Sequence, residues 1–136
     1  MTFAETVDEL LALPGVQEAP EEGASWRLLV STGNAEVEVV IPFSTLEWYA
    51  TARTQEGRVL WSDWMDYQGY DRTHSLDRLE RDMCGDIKWF VETLTQATSF
   101  RAGTKGALVP VETIPEVNIG GEWKELKMYH QTALSK

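Results

Sequence analysis

The stretch that decides the fold is WRLLVSTGNAEVEVVI, residues 26–41, in which two runs of alternating apolar residues flank Gly33-Asn34. A two-residue turn with glycine in the first position favours a type II′ hairpin. With that turn, the cross-strand pairs on one face are all apolar: Val30 with Val37, Leu28 with Val39, and Trp26 with Ile41. Because a slip of one residue would move every side chain to the opposite face, the turn and the pattern together predict this register.

A second hairpin is predicted over about residues 45–66. Gln55-Glu56-Gly57 suits a three-residue loop with glycine in the left-handed position. This loop sets Trp48 against Trp64 on the apolar face. The same register places Tyr49, Trp61 and Asp63 on the opposite, more polar face.

Helices are predicted on both sides of the hairpins. Thr2 and Glu5 have capping-box spacing and begin a short helix that Pro14-Gly15 ends. An acidic loop is expected over residues 17–24, and a long helix over about 75–97. That helix carries an amphipathic stripe of Leu76, Leu79, Met83, Ile87, Phe90 and Leu94.

Strands are expected again after the long helix, near residues 98–102, 107–112, 116–119 and 122–128. Glycines mark turns at 103–106 and 120–121, and the second of these pairs Val117 with Lys124. Tight turns favour antiparallel pairing. The predicted fold class is therefore α+β: one domain over residues 1–136 with a largely antiparallel sheet of about six to seven strands, the long helix packed on one face, a short N-terminal helix, and a loose tail over about 129–136.

The chain is strongly acidic, with 22 acidic and 12 basic residues and a net charge of −10. Six of the acidic residues and no basic residue lie in residues 1–24. A negative surface repels phosphate backbones, so direct nucleic-acid binding is not expected, whereas a basic protein would be attracted. One cysteine, no secretion signal and no long apolar run predict a bacterial cytoplasmic protein that does not bind a membrane.

The motifs of common enzymes are missing from the sequence. Cys84 falls beside the apolar stripe of the long helix, where a thiol usually acts as a small hydrophobic group. His74 and His130 belong to no zinc-binding spacing, and residues 103–106 lack the context of a phosphate-binding loop. We therefore expect no catalytic residue, metal or cofactor.

Three carboxylates, Asp63, Asp66 and Asp71, are the best candidates for acid chemistry. On one strand, Asp63 and Asp66 would point to opposite faces unless a bulge intervened, which weakens a shared cation or an acid–base pair. We expect these residues to be solvated or to contact a partner.

Aromatic residues are abundant, with six tryptophans and four tyrosines. Trp61 and Trp89 fall on the polar faces of their elements, and aromatic residues ringed by polar groups are typical anchors of protein interfaces. The alternatives are that both rings pack under the C-terminal strands, or that they form a homodimer interface. The predicted partner-binding residues are Tyr49, Trp61, Asp63, Asp66, Tyr67, Tyr70, Asp71 and Trp89.

These observations favour a protein-binding domain that masks or inhibits a basic partner protein. Small acidic bacterial domains without catalytic motifs are similar in kind to immunity proteins, which neutralise toxin domains. Two alternatives remain. One is a nucleic-acid mimic that occupies a DNA- or RNA-binding protein, and the other is a small-ligand binder or hydrolase built on the loop of Asp63, Asp66 and Asp71.

Overall fold

A computed structural model describes residues 2–19, 23, 25–43, 45–67, 76–105 and 112–126. The helices are α1 (Phe3–Leu11) and α2 (Leu76–Thr95). The strands are β1 (Val16–Glu18), β2 (Ser25–Ser31), β3 (Glu36–Pro42), β4 (Glu47–Arg53), β5 (Val59–Asp66), β6 (Ser99–Lys105), β7 (Glu112–Ile119) and β8 (Glu122–Glu125). The α+β class, the antiparallel pairing and the two helices are confirmed. The predicted tail over residues 129–136 lies outside the described residues.

The described strands divide into two antiparallel sheets. Strands β1 to β5 form a five-stranded sheet in chain order, and β6 to β8 form a three-stranded sheet after α2. Strand β1 occupies part of the segment predicted as an acidic loop, and it pairs Val16 with Val30. A buried valine at its start lets this short strand extend the apolar face of the sheet.

The first hairpin has the predicted register, with Val30 opposite Val37, Leu28 opposite Val39 and Trp26 opposite Ile41. The turn type is different, because Gly33 does not adopt the positive φ that a type II′ turn needs. Glycine is required at this position for a different reason. The Gly33 N–H donates to the Thr98 carbonyl at 2.9 Å, and a Cβ at Gly33 would lie 2.3 Å from that carbonyl oxygen.

The same turn joins the two sheets. The Asn34 side-chain amide donates to the Phe100 carbonyl at 2.8 Å, and its oxygen accepts the Phe100 N–H at 2.8 Å. One side chain thus satisfies both backbone groups of a β6 residue, as a neighbouring strand would. Phe100 is buried at this junction.

The second hairpin has the predicted turn but a different register. Gly57 has φ +88° and Arg53 lies opposite Val59, as expected from the three-residue loop. A β-bulge at Leu60 then shifts the pairing by one residue, so Trp48 lies opposite Met65 and not opposite Trp64. An extra residue in one strand reverses the faces of everything beyond it.

The core lies between the inner face of the five-stranded sheet and α2. The helix buries the predicted stripe except Leu76, which is exposed. Phe90 of α2 contacts Trp48 edge-on, with ring centroids 5.2 Å apart. Helix α1, capped by Thr2 as predicted, packs beside α2. An ion pair joins Glu9 of α1 to Lys88 of α2 at 2.9 Å.

The three-stranded sheet follows the predicted register at its second turn. Val117 lies opposite Lys124, and Gly120 and Gly121 both have positive φ. The first predicted turn is wrong, because Gly103 lies within β6, opposite Ile114. A Cβ at this glycine would lie 2.1 Å from the Glu116 carboxylate, which is the far end of a flexible side chain.

Candidate binding surface

The outer face of the five-stranded sheet, opposite α2, carries two exposed aromatic residues side by side. The bulge in β5 sets Tyr49 directly opposite Trp64. Tyr49 is 37% exposed and Trp64 is 51% exposed. Their rings are nearly parallel, with an interplanar angle of 12° and centroids 6.3 Å apart. We call this pair the aromatic platform.

The Glu47 carboxylate holds the Trp64 ring, and the Tyr49 ring stacks on Trp64. The Trp64 indole N–H donates to Glu47 Oε2 at 3.0 Å, and the Tyr49 and Trp64 rings are nearly parallel. Glu47 lies on the same strand and face as Tyr49 and directly opposite Asp66. The two rings are therefore oriented before any partner arrives.

The electrostatics of the aromatic platform are negative. The pKa of Tyr49 is raised, by desolvation first and then by the charge of Glu47, the hydrogen bond to it, and the charge of Asp66. Tyr49 consequently remains a neutral hydrogen-bond donor throughout the neutral pH range. Elsewhere on this face Arg27 forms an ion pair with Glu38.

Asp63 lies next to the aromatic platform but points the other way. It is paired with Ala50, whose side chain is on the buried face, but the Asp63 side chain is itself exposed. Its carboxylate accepts the backbone N–H of Trp64 at 2.8 Å. Asp63 and Asp66 therefore do not converge on one site, as the alternation along the strand predicted.

Trp61 does not belong to the exposed surface, and its predicted position on a polar face is wrong. It is 6% exposed and contacts the rings of Phe90 and Phe100, each with centroids 6.1 Å apart. The bulge at Leu60 turns Trp61 inward and Trp64 outward. Trp61 therefore packs where α2, the five-stranded sheet and β6 meet.

Tyr67 is also a core residue and not an exposed contact residue, and its burial corrects the prediction. Its ring is fully buried, and its hydroxyl donates to Asp86 Oδ2 at 2.5 Å while accepting the Trp48 indole N–H at 3.3 Å. Burial, and then the neighbouring Asp86 carboxylate, raise the pKa of Tyr67 far above its ordinary value. This chain of hydrogen bonds joins the end of β5 to the middle of α2.

Trp89 is exposed, as predicted, but it lies on the other side of the sheet from the aromatic platform. It is 41% exposed and borders a cleft of about 350 Å³ between α2 and the three-stranded sheet. Ile119 and Lys124 form the opposite wall of this cleft. The predicted contact residues therefore do not form one continuous surface.

The remaining candidates give no catalytic arrangement within the described residues. Tyr70, Asp71, His74 and His130 lie outside them. Cys84 is buried on α2, and desolvation raises the pKa of its thiol, which disfavours the reactive thiolate. No group of three or more His, Cys, Asp or Glu side chains in the described part of the chain could hold a metal ion.

A third exposed tryptophan, Trp123 on β8, already has a cationic neighbour. The Arg101 guanidinium carbon lies 4.0 Å from the centroid of the Trp123 ring. Arg101 Nε also donates to Glu116 Oε1 at 3.0 Å. This arrangement is a complete set of ring, guanidinium and carboxylate.

Comparison with known proteins identifies no relative: no protein-family profile matches the chain, and no curated protein or solved structure is significantly similar to it. Neither helix of the described residues has the length and apolarity that crossing a membrane would require.

The sequence reasoning missed Trp64, the most exposed tryptophan in the described residues, because it assumed an unbroken ladder. The signal was present further along β5. In the assumed register, Ser62 and Asp66 would point toward the core. One added residue instead brings Trp61, Met65 and Tyr67 inward, and all three are buried. Extending the register test to the end of the strand would have indicated the bulge.

Proposed function

We propose that this chain is a protein-binding domain that masks a basic partner protein, and that its contact surface is centred on the aromatic platform. The observation that carries the proposal is an exposed, stacked Tyr49–Trp64 pair on the outer face of the five-stranded sheet, with Trp64 held by Glu47. Tyrosine and tryptophan are enriched among the anchor residues of protein interfaces.

Two further properties support this proposal. Rings that are already oriented lose little conformational freedom on binding, so more of the contact energy appears as affinity. The net charge of −10 would attract a basic partner at long range and speed its association. The small size and acidity of the chain are also similar to those of immunity proteins, which neutralise a partner by covering it.

The test is a comparison of matched tryptophan variants. The domain is immobilised and exposed to lysate of its source organism, and the retained protein is identified, purified and measured by calorimetry. We expect Trp64→Ala to weaken its binding by about 30-fold or more, as removal of an interface anchor does. Trp123→Ala, which removes an exposed tryptophan elsewhere, should bind as the wild type does.

Salt dependence gives a second readout. Binding should weaken between low and moderate ionic strength because salt screens the attraction between exposed charges. The proposal is wrong if the wild-type domain retains no specific protein, or if Trp64→Ala and Trp123→Ala bind the retained protein equally well.

A further inference from the structure

We infer that the Trp64 ring of the aromatic platform binds an arginine side chain of the partner; this inference rests on the proposed function and specifies the chemistry of the contact. A guanidinium over the face of an indole is attracted to the ring electrons, and its N–H groups can reach carboxylates at the ring edge. Trp64 has both elements, because its ring is half exposed and Glu47 is bonded to its edge.

The charge distribution on this face favours a cation at the aromatic platform. Glu47 lies at the edge of the Trp64 ring, and the chain as a whole has a net charge of −10. Elsewhere on the face, Arg27 pairs with Glu38 and Arg53 lies opposite Glu36. Glu47 therefore places a negative charge beside the exposed ring, where a bound guanidinium would lie.

The chain contains its own example of the proposed contact. On the three-stranded sheet, Arg101 lies 4.0 Å from the centre of the Trp123 ring and bonds through Nε to Glu116 at 3.0 Å. Trp64 with Glu47 offers the ring and the carboxylate of this arrangement. Lysine fits less well. A planar guanidinium can stack on the ring and donate hydrogen bonds from its edge at the same time, whereas a compact ammonium cannot do both.

The experiment uses three peptides of the same length with the ¹⁵N-labelled full chain at low salt. They are acetyl-Gly-Arg-Arg-Gly-amide, its lysine counterpart and its citrulline counterpart, in which each guanidinium is replaced by a neutral urea of nearly the same shape. The indole N–H signals are assigned by single tryptophan substitutions. We expect the arginine peptide to shift the Trp64 signal saturably and to bind about two- to fivefold more tightly than the citrulline peptide.

Two glutamate variants separate a specific contact from general attraction. Glu47→Gln and Glu56→Gln remove the same charge, but Glu56 lies exposed in the β4–β5 turn. Only Glu47→Gln should weaken the arginine peptide, and Trp64→Ala should abolish the saturable response. The inference is overturned if arginine and citrulline act equally, if lysine matches arginine, if Trp123 shifts as much as Trp64, or if the two glutamine variants behave alike.

The outcome is distinguishable from failure of the proposed function. A partner that depends on Trp64, with no arginine-specific shift, would overturn this inference and leave the protein-binding role standing. An arginine-specific shift without any protein that depends on Trp64 would support the guanidinium contact and contradict the proposed function.

Discussion

Replacing Trp61 and Trp64 by alanine, one at a time, tests the β-bulge on which the candidate surface depends. A tryptophan buries about 150–250 Å², and buried apolar area stabilises by about 25 cal/mol per Å². Trp61 is only 6% exposed, so this area predicts a loss of about 4–6 kcal/mol, close to the 3–5 kcal/mol typical of such truncations.

Trp64→Ala should lower the free energy of unfolding much less than Trp61→Ala does. Because Trp64 is 51% exposed, only about half of its surface area is buried in the folded protein. Buried areas calculated relative to an extended chain are also upper bounds. We expect a loss of about 1–2 kcal/mol, leaving a gap of at least about 2 kcal/mol between the two variants.

Urea denaturation followed by circular dichroism measures both losses without relying on tryptophan fluorescence. The slope of the unfolding free energy against urea should be unchanged, so that the midpoints compare stability directly. Equal losses, or a greater loss for Trp64→Ala, would refute the bulged register and return Trp64 to the core.

Three other outcomes are expected from the described structure. Gly33→Ala should destabilise the protein by about 1–3 kcal/mol, because its Cβ would collide with a backbone carbonyl. Gly85→Ala, at a helical position with open space, should instead stabilise it by about 0.5–1 kcal/mol. Thermal unfolding compares the two variants, and melting temperatures that shift in the same direction would contradict the close approach at the turn. Because the folded state holds the Tyr67 proton more tightly than the unfolded chain does, stability should be fully present below pH 10 and fall as the pH rises above it. Tyr67→Phe should remove that alkaline fall and cost about 1–3 kcal/mol at pH 7, since it leaves the buried Asp86 carboxylate without this donor; an unchanged alkaline slope in urea titrations would refute the buried hydroxyl. Cys84 should react with a disulfide reagent far more slowly in the native protein than in the unfolded chain, since it is 3% exposed, and equal rates would show that the thiol is accessible.

Regular alternation predicted the parts of the fold that obey it. The first hairpin and the Val117–Lys124 register were right because a period of two and a short turn leave one consistent pairing. Local reasoning also found the N-cap of α1 and most of the buried stripe of α2. The predicted turn type at Gly33 was wrong because the glycine is required by the close approach of the Thr98 carbonyl, 65 positions away in the chain. A contact between such distant residues leaves no pattern in the local sequence.

The candidate surface was only partly accessible to such reasoning. Tyr49 and Asp66 were identified from aromatic and acidic character, and they lie on one face. The faces predicted for Trp61 and Trp64 were the reverse of those observed, because a single inserted residue reverses the faces of a strand. The bulge lets Trp61 pack against α2 and β6, and the sequence of the hairpin alone does not reveal these contacts. Tyr67 was assigned to the surface because its partner, Asp86, lies on a separate helix.

The hydrogen bond between the Asp63 carboxylate and the Trp64 N–H also affects how the protein behaves at high concentration. Strand β5 ends the described five-stranded sheet, and an open strand edge is a template on which a second chain can continue the ladder. Asp63 occupies the donor that an incoming strand would need and places a negative charge where that strand would lie. Asp63→Ala should therefore leave the fold intact but increase self-association of concentrated samples, which light scattering would detect as a rise in average mass.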